Sequence, residues 1–314
     1  MSSLFPVLVD DAVPEGDGCV RFRLVASNGD DQLPGFEPGA HVDVVTPSGL
    51  VRQYSLCGSA DDPSAYELCV RREEASRGGS DSLCAQARKG MELQISMPRN
   101  AFPLPEAQRY VLVAGGIGIT PLLSMIRRLE RKGADWQLYY YARNPESAPF
   151  GAMLREVPYA RRVRFSSSLR NGYPDALTAP FAGAVIMLCG PDGFMKAVRA
   201  RAEEAGWPQD AIRTEYFRPS ETSISLTDQP FQVVLARSGQ VVTVPPDQSI
   251  ASALMVAGID VSLSCEQGIC GACVVPILAG EGEHRDMVLT EEEQERSIAL
   301  CCSRSRTPSL TLDM

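Results

Sequence analysis

The chain has 314 residues, of which 44% are hydrophobic and 22% charged, enough to build two or three ordinary domains with buried cores and too apolar for a disordered chain. With 39 acidic against 30 basic side chains its formal charge is -9, which argues against a nucleic-acid partner. The amino terminus MSSLFPVLVDDAVPEGD lacks the basic start and apolar run of an export signal, and every apolar stretch falls well short of the roughly 20 residues that span a bilayer, so no membrane partner and a reducing, cytoplasmic setting are expected.

In the first hundred or so residues, GCVRFRLVAS, AHVDVVTPSG, YELCVRRE and MELQISMP alternate with a period of about two, predicting antiparallel strands that curl into a small barrel. SDSLCAQARKG suggests a short helix. In VRQYSLCGS, Arg52 and Tyr54 fall on one side of a strand that ends near Ser55. An arginine can hold a phosphate in a two-pronged fork, and a tyrosine can lie against a flat ring. SRGGS, residues 76–80, places Gly78, Gly79 and Ser80 just ahead of the helix, where exposed amides favour an anion. A solvated strand arginine beside a glycine-rich surface loop would read the same way.

The texture changes after residues 102–108. Tyr110 to Ala114 forms an apolar strand, VAGGIGITP a glycine turn, and the following segment an amphipathic helix with Leu122, Leu123, Ile126 and Leu129 on one face. Strands WQLYYYAR, RRVRFSSS and GAVIMLCG alternate with helical stretches such as DGFMKAVRARAEEAG, the pattern of a parallel sheet covered by helices. The turn holds Gly115, Gly116 and Gly118 followed by Thr120 and Pro121, and it departs from the usual dinucleotide G-x-G-x-x-G. A tight strand-to-helix turn with no ligand is the alternative. Cys189, Gly190 and Pro191 end a later strand, on the edge where such sheets bind their ligands.

FRPSETSISLTDQP reads as an inter-domain connection. FQVVLARSGQVVTVPP then predicts a hairpin turning at Ser238 and Gly239, SIASALMVAG a helix capped by Ser249, and PSLTLDM a last strand. Five of the ten cysteines crowd into this end, which a disulfide scaffold in a reducing compartment does not explain. Cys265, Cys270 and Cys273 have the C-x4-C-x2-C spacing of a plant-type [2Fe-2S] cluster, with Gly268 and Gly271 leaving room for a tight loop. Zinc and a redox C-x-x-C fit the spacing less well. A fourth ligand must come from Cys301 or Cys302, and spacing alone does not separate them.

Taken together, RQYSL, SRGGS, VAGGIGITPLL, LYYYARNPESAPF, MLCGPDGFM, EYF and SCEQGICGACVV followed by CCSR resemble the phthalate dioxygenase reductase family of Rieske oxygenase reductases, over nearly the whole chain. The resemblance implies a multidomain protein: an antiparallel flavin-binding β-barrel over residues 1–105, an α/β nucleotide-binding domain over 106–222, and a C-terminal β-grasp plant-type ferredoxin domain over 229–314. It implies FMN held by Arg52, Tyr54, Ser55, Gly79 and Ser80, and NADH as co-substrate at Gly115, Gly116, Thr120, Pro121, Cys189, Gly190 and Pro191. Glu215 and Phe217 fall where the family brings side chains towards the flavin. The CCSR segment matches a pattern in which the first cysteine closes the cluster, giving Cys265, Cys270, Cys273 and Cys301 as ligands. Electrons would pass from NADH through FMN and the cluster to a Rieske-type terminal oxygenase, with no catalytic acid required, and a monomer is favoured. Alternatives are an FAD-containing ferredoxin-type reductase of another hydroxylase and an electron-transfer module without nicotinamide oxidation of its own. Ser166 to Ser168, Arg170 and Arg143 would also suit a 2′-phosphate, whereas the resemblance favours NADH. The two histidines, His41 and His284, are expected to face solvent.

Overall fold

The computed structural model describes residues 4–28, 32–73, 78–217, 228–263, 268 and 271–314. The chain divides into two units, Ser2–Tyr216 and Phe217–Met314.

The first unit opens with an antiparallel sheet made of β1 (Leu4–Pro14), β2 (Cys19–Ala26), β3 (His41–Val45), β4 (Val51–Ser55), β5 (Tyr66–Arg71) and β6 (Glu92–Ser96), in the order β4-β3-β6-β1-β2-β5. Alternate residues Val7, Val9, Phe22, Leu24, Val42, Val44, Leu68 and Ile95 are buried together, as strand periodicity requires. β1 escaped the sequence pattern because its register shifts between Val9 and Asp11, and that bulge breaks the alternation. Helix α1 (Gly79–Gln86) packs against β4 and β5. His41 corrects the expectation of a solvent-facing histidine: it is buried, because β3 runs between β4 and β6 and sets His41 opposite Ser55. The His284 side chain, 12% exposed, is also largely enclosed.

The second sheet of this unit is parallel throughout. Its elements are β7 (Arg109–Gly115), α2 (Ile119–Arg131), β8 (Asp135–Tyr141), α3 (Gly151–Leu154), β9 (Val163–Ser166), β10 (Ala184–Cys189), α4 (Asp192–Glu204) and β11 (Ile212–Glu215), with strand order β11-β10-β7-β8-β9. β7 and β10 are apolar runs buried along nearly their whole length, as central parallel strands covered on both faces must be. The chain builds outward from β7 through β8 to β9, then crosses back to lay β10 on the other side of β7. Polar ties lock this sheet to the first: Arg127 pairs with Glu67 at 3.0 Å, Arg128 with Asp61 at 3.2 Å, and the Phe150 amide donates to Glu15 Oε1 at 3.0 Å.

In the second unit, β12 (Phe231–Leu235) and β13 (Val241–Val244) form the expected hairpin, followed by α5 (Ile250–Val256), whose cap Ser249 accepts the Ser252 amide at 3.0 Å. Then come β14 (Val274–Ala279), β15 (Gly282–Glu283), α6 (Glu291–Gln294), β16 (Ser297–Ala299), β17 (Arg304–Ser305) and β18 (Ser309–Leu312). Strand order is β13-β12-β18-β14-β16, with β12 and β18 parallel inside an otherwise antiparallel sheet, and β15 pairs with β17. Leu254 and Ile250 of α5 close the core over Val233, Leu235, Ile298, Leu310 and Leu312, a β-grasp arrangement. Among the described residues no helix is long and apolar enough to cross a membrane.

Candidate cofactor sites

On β4, Arg52 sits opposite Val44 and Tyr54 opposite Val42, so both side chains leave the same face of the strand. The Tyr54 hydroxyl is enclosed and has no hydrogen-bond partner among the described residues, and burial pushes its ionisation well above the ordinary tyrosine range. An enclosed donor without a partner is costly unless something outside the chain completes it. Arg52 lies across the first turn of α1: a Cβ on Gly79 would stand 2.8 Å from Arg52 Cγ and 2.9 Å from Nε. The amides of Gly79 and Ser80 belong to that first turn, where a helix leaves its N–H groups unused. Ser80 Oγ accepts the Glu73 amide at 3.3 Å, and Ser55 is buried at the end of β4. A guanidinium, the first amides of a helix and a buried phenol within one strand and one helix turn fit a phosphorylated, planar group such as a flavin nucleotide.

The parallel sheet reverses its direction of growth between β7 and β10, and open α/β sheets bind nucleotides in the crevice at that point. The residues at those two strand ends are small because they touch. A Cβ on Gly115 would come within 2.9 Å of Pro191 and Phe194, and one on Gly190 within 2.8 Å of Phe194 and 3.0 Å of Gly115 Cα. A side chain on Gly118 would overlap the Cys189 carbonyl. Gly116, at φ +56°, faces open space instead, which suits close approach of a ligand. Thr120 Oγ1 donates to the Ile117 carbonyl at 3.0 Å and closes the turn, and Pro121 is buried in the first turn of α2, where its missing donor costs nothing.

β11 carries Glu215 alongside Cys189 in register. Glu215 Oε2 is buried without a partner among the described residues, and loss of solvent pushes the carboxyl pKa up to about 8. Burial, and then the neighbouring Glu215, raise the Cys189 thiol well above its ordinary range. Phe217 belongs to the other unit and is partly buried. Gly118, Phe194 and Tyr140 also line the crevice, beyond the residues that the resemblance picks out. Strand alternation was the available signal for Tyr140: it turns away from Tyr139 and Tyr141, and its hydroxyl lies 3.1 Å from both the Gly116 and the Pro149 carbonyls.

In the second unit Cys265 and Cys270 lie outside the described residues. Cys273 and Cys301 are both buried, and the pairing of Val274 with Ala299 sets them at the same end of β14 and β16, where the Leu300 amide donates to the Cys273 carbonyl at 3.2 Å. The Gly268 N–H donates to Cys301 Sγ at 3.2 Å. Cys302 turns back on its own turn, with Sγ 3.8 Å from Ser303 Oγ and 4.0 Å from the Ala299 carbonyl. Gly268 adopts φ +72°, and a Cβ there would stand 2.5 Å from Cys302 Sγ, so only glycine lets the loop approach this closely. A loop amide already aimed at a buried sulfur fits a thiolate-bound cluster.

Residues 233–306 match the family model of the 2Fe-2S iron-sulfur cluster binding domain. The chain is 43% identical over 293 residues to a vanillate O-demethylase oxidoreductase of Pseudomonas sp. (strain HR199 / DSM 7063), covering 90% of this chain and 91% of that protein. It is 37% identical to the carnitine monooxygenase reductase subunit of Escherichia coli (strain K12), covering 99% and 98% of the two chains. Among solved structures, phthalate dioxygenase reductase, described as modular for electron transfer from pyridine nucleotides to [2Fe-2S], superposes with a TM-score of 0.79 at 33% identity, covering 99% of this chain and 98% of that one. With the two sheets, the switch-point crevice and the cluster domain in the same order along relatives of nearly the same length, the chain belongs to the phthalate dioxygenase reductase family of oxidoreductases.

Proposed function

We propose that this chain is the NADH-dependent reductase component of a Rieske-type mono- or dioxygenase system, passing electrons from NADH through FMN and a [2Fe-2S] cluster to the oxygenase. The observation that carries the reading is the succession, in one chain, of a sheet with an enclosed, unpartnered Tyr54 hydroxyl, a parallel sheet with a glycine-lined switch point, and the cluster-binding match at 233–306. Residues 1–105 hold FMN, 106–222 hold NADH, and 229–314 form the ferredoxin domain. Together the flavin and cluster supply the conversion of a two-electron hydride donor into single electrons.

The chain's own task is placement. Arg52 and the amides of Gly79 and Ser80 hold the FMN phosphate, while Tyr54 and Ser55 orient the ring system. Gly115, Gly116, Thr120 and Pro121 admit the NADH phosphates at the β7 end, and Cys189, Gly190 and Pro191 form the facing wall. Glu215 places a proton-holding carboxyl beside Cys189, and Phe217 follows it as an apolar side chain for the flavin. Cys265, Cys270, Cys273 and Cys301 hold the cluster.

Anaerobic titration of the purified protein with NADH, followed by absorbance and electron paramagnetic resonance, tests this directly. The flavin band is expected to bleach and a [2Fe-2S] signal to grow in the same sample. A flavin that stays oxidised under excess NADH would overturn the reading. Mass measurement of the extracted flavin decides between FMN and FAD.

A further inference from the structure

From the hydrogen bonds around Gly268 we infer that Asp286 is a positioning residue for the cluster: its side chain fixes the turn that aims the Gly268 amide at Cys301 Sγ and thereby sets the cluster's reduction potential. This rests on the reading of Cys301 as a ligand. The pairing of β15 with β17 brings residues 284–289 beside 301–303. There the Arg285 amide donates to Ser303 Oγ at 3.1 Å, and Ser303 Oγ donates in turn to Asp286 Oδ1 at 3.2 Å. Asp286 Oδ2 accepts the Leu289 amide at 2.9 Å, closing a turn over 286–289. The next amide in that turn, Met287 N–H, donates to the Gly268 carbonyl at 2.9 Å, while the Gly268 N–H donates to Cys301 Sγ at 3.2 Å.

Gly268 is therefore held from both sides, with its carbonyl on the Asp286 turn and its amide on the sulfur. The fit leaves little slack. A Cβ on Gly268 would meet Cys302 Sγ at 2.5 Å and Asp286 Cα at 3.0 Å. The Asp286 side chain is 0% exposed, with His284 Nδ1 3.5 Å from Oδ1, so water cannot stand in for its bonds. An N–H aimed at a ligand sulfur stabilises the more negative, reduced cluster and raises its potential. Freeing that amide lowers it.

Removing Asp286 changes charge as well as geometry, and the test separates the two. Asp286→Asn keeps the acceptor for Leu289 and the contact with Ser303 while discarding the carboxylate. Asp286→Ala discards both, and Ser303→Ala weakens the bridge while keeping the carboxylate. Iron per chain and the midpoint potential of the cluster are measured on each holoprotein by anaerobic redox titration followed by electron paramagnetic resonance. The expected result is a potential for Asp286→Ala below that of Asp286→Asn by about 59 mV or more, a tenfold change in the one-electron equilibrium, with Ser303→Ala displaced downward from the wild type. Equal potentials for the Ala and Asn variants at full iron content would overturn the inference. If Asp286→Ala holds no iron, Ser303→Ala decides: an unchanged potential and signal also overturns it. Loss of iron from Cys302→Ala with retention in Cys301→Ala overturns the ligand reading instead.

Discussion

Glu215 ends β11 with one carboxylate oxygen buried and unpartnered, and its pKa has risen from 4.5 to about 8. The unfolded chain releases this proton near the lower value and the folded chain near the higher one. Between them the folded state binds more protons, so this contribution to stability is present in acid and is lost as pH rises towards 8. Glu215→Gln has nothing to ionise. Its Tm is predicted to exceed that of the wild type by more at about pH 8.5 than at about pH 5; equal differences at both pH values would place the cost elsewhere. At the other cofactor, Cys301→Ala is predicted to lose the cluster and Cys302→Ala to keep it, read as iron per chain, because only Cys301 Sγ receives the Gly268 amide among the described residues. The cysteine spacing was legible in the sequence because ligand spacing is local. The behaviour of Glu215 was not, since it arises from packing between strands distant in sequence, and the same is true of the burial of His41.

At the scale of elements, α2, α5 and the strand-to-helix turn after β7 could be read from periodicity and caps. β1 could not, because its bulge shifts the phase, and β11 carries only four residues of pattern. The turn after β7 is packed so closely on β10 that Gly118→Ala would drive a methyl into the Cys189 carbonyl, a backbone atom that cannot swing aside. Overpacking of this kind costs about 1–3 kcal/mol. We predict a rise in the KM for NADH of about fivefold or more, with flavin and iron content retained, since Gly118 lies on the turn from β7 to α2 while the proposed flavin residues lie on β4 and α1 and the cluster cysteines in the second unit. At α1 the matching experiment is Arg52→Ala. A charged hydrogen bond is worth about 1.5–3 kcal/mol, so flavin Kd is expected to rise by about ten- to a hundredfold. An unchanged Kd would move the phosphate site away from the Gly79 turn.

For the whole molecule, the division into Ser2–Tyr216 and Phe217–Met314 assigns the electron path to two compact units. The flavin sheet and the nucleotide sheet share one unit, tied by the pairs of Arg127 with Glu67 and Arg128 with Asp61 and by the bond from Phe150 to Glu15. Hydride transfer demands that kind of fixed geometry, because its rate collapses when the reacting atoms are misplaced by as little as an ångström. The cluster instead sits in a unit with its own core of Val233, Leu254, Ile298 and Leu310. Single-electron transfer does not need two atoms in bonding contact, so a separate unit serves it. Substitutions at sites that share no partners add without coupling. Cys301→Ala is therefore predicted to leave NADH-driven bleaching of the flavin within about twofold of the wild type, measured by anaerobic stopped flow, while electron delivery to the oxygenase falls to background. If flavin reduction fell in parallel with delivery, the two units would have to be coupled in the hydride step, and the assignment of one task to each unit would fail.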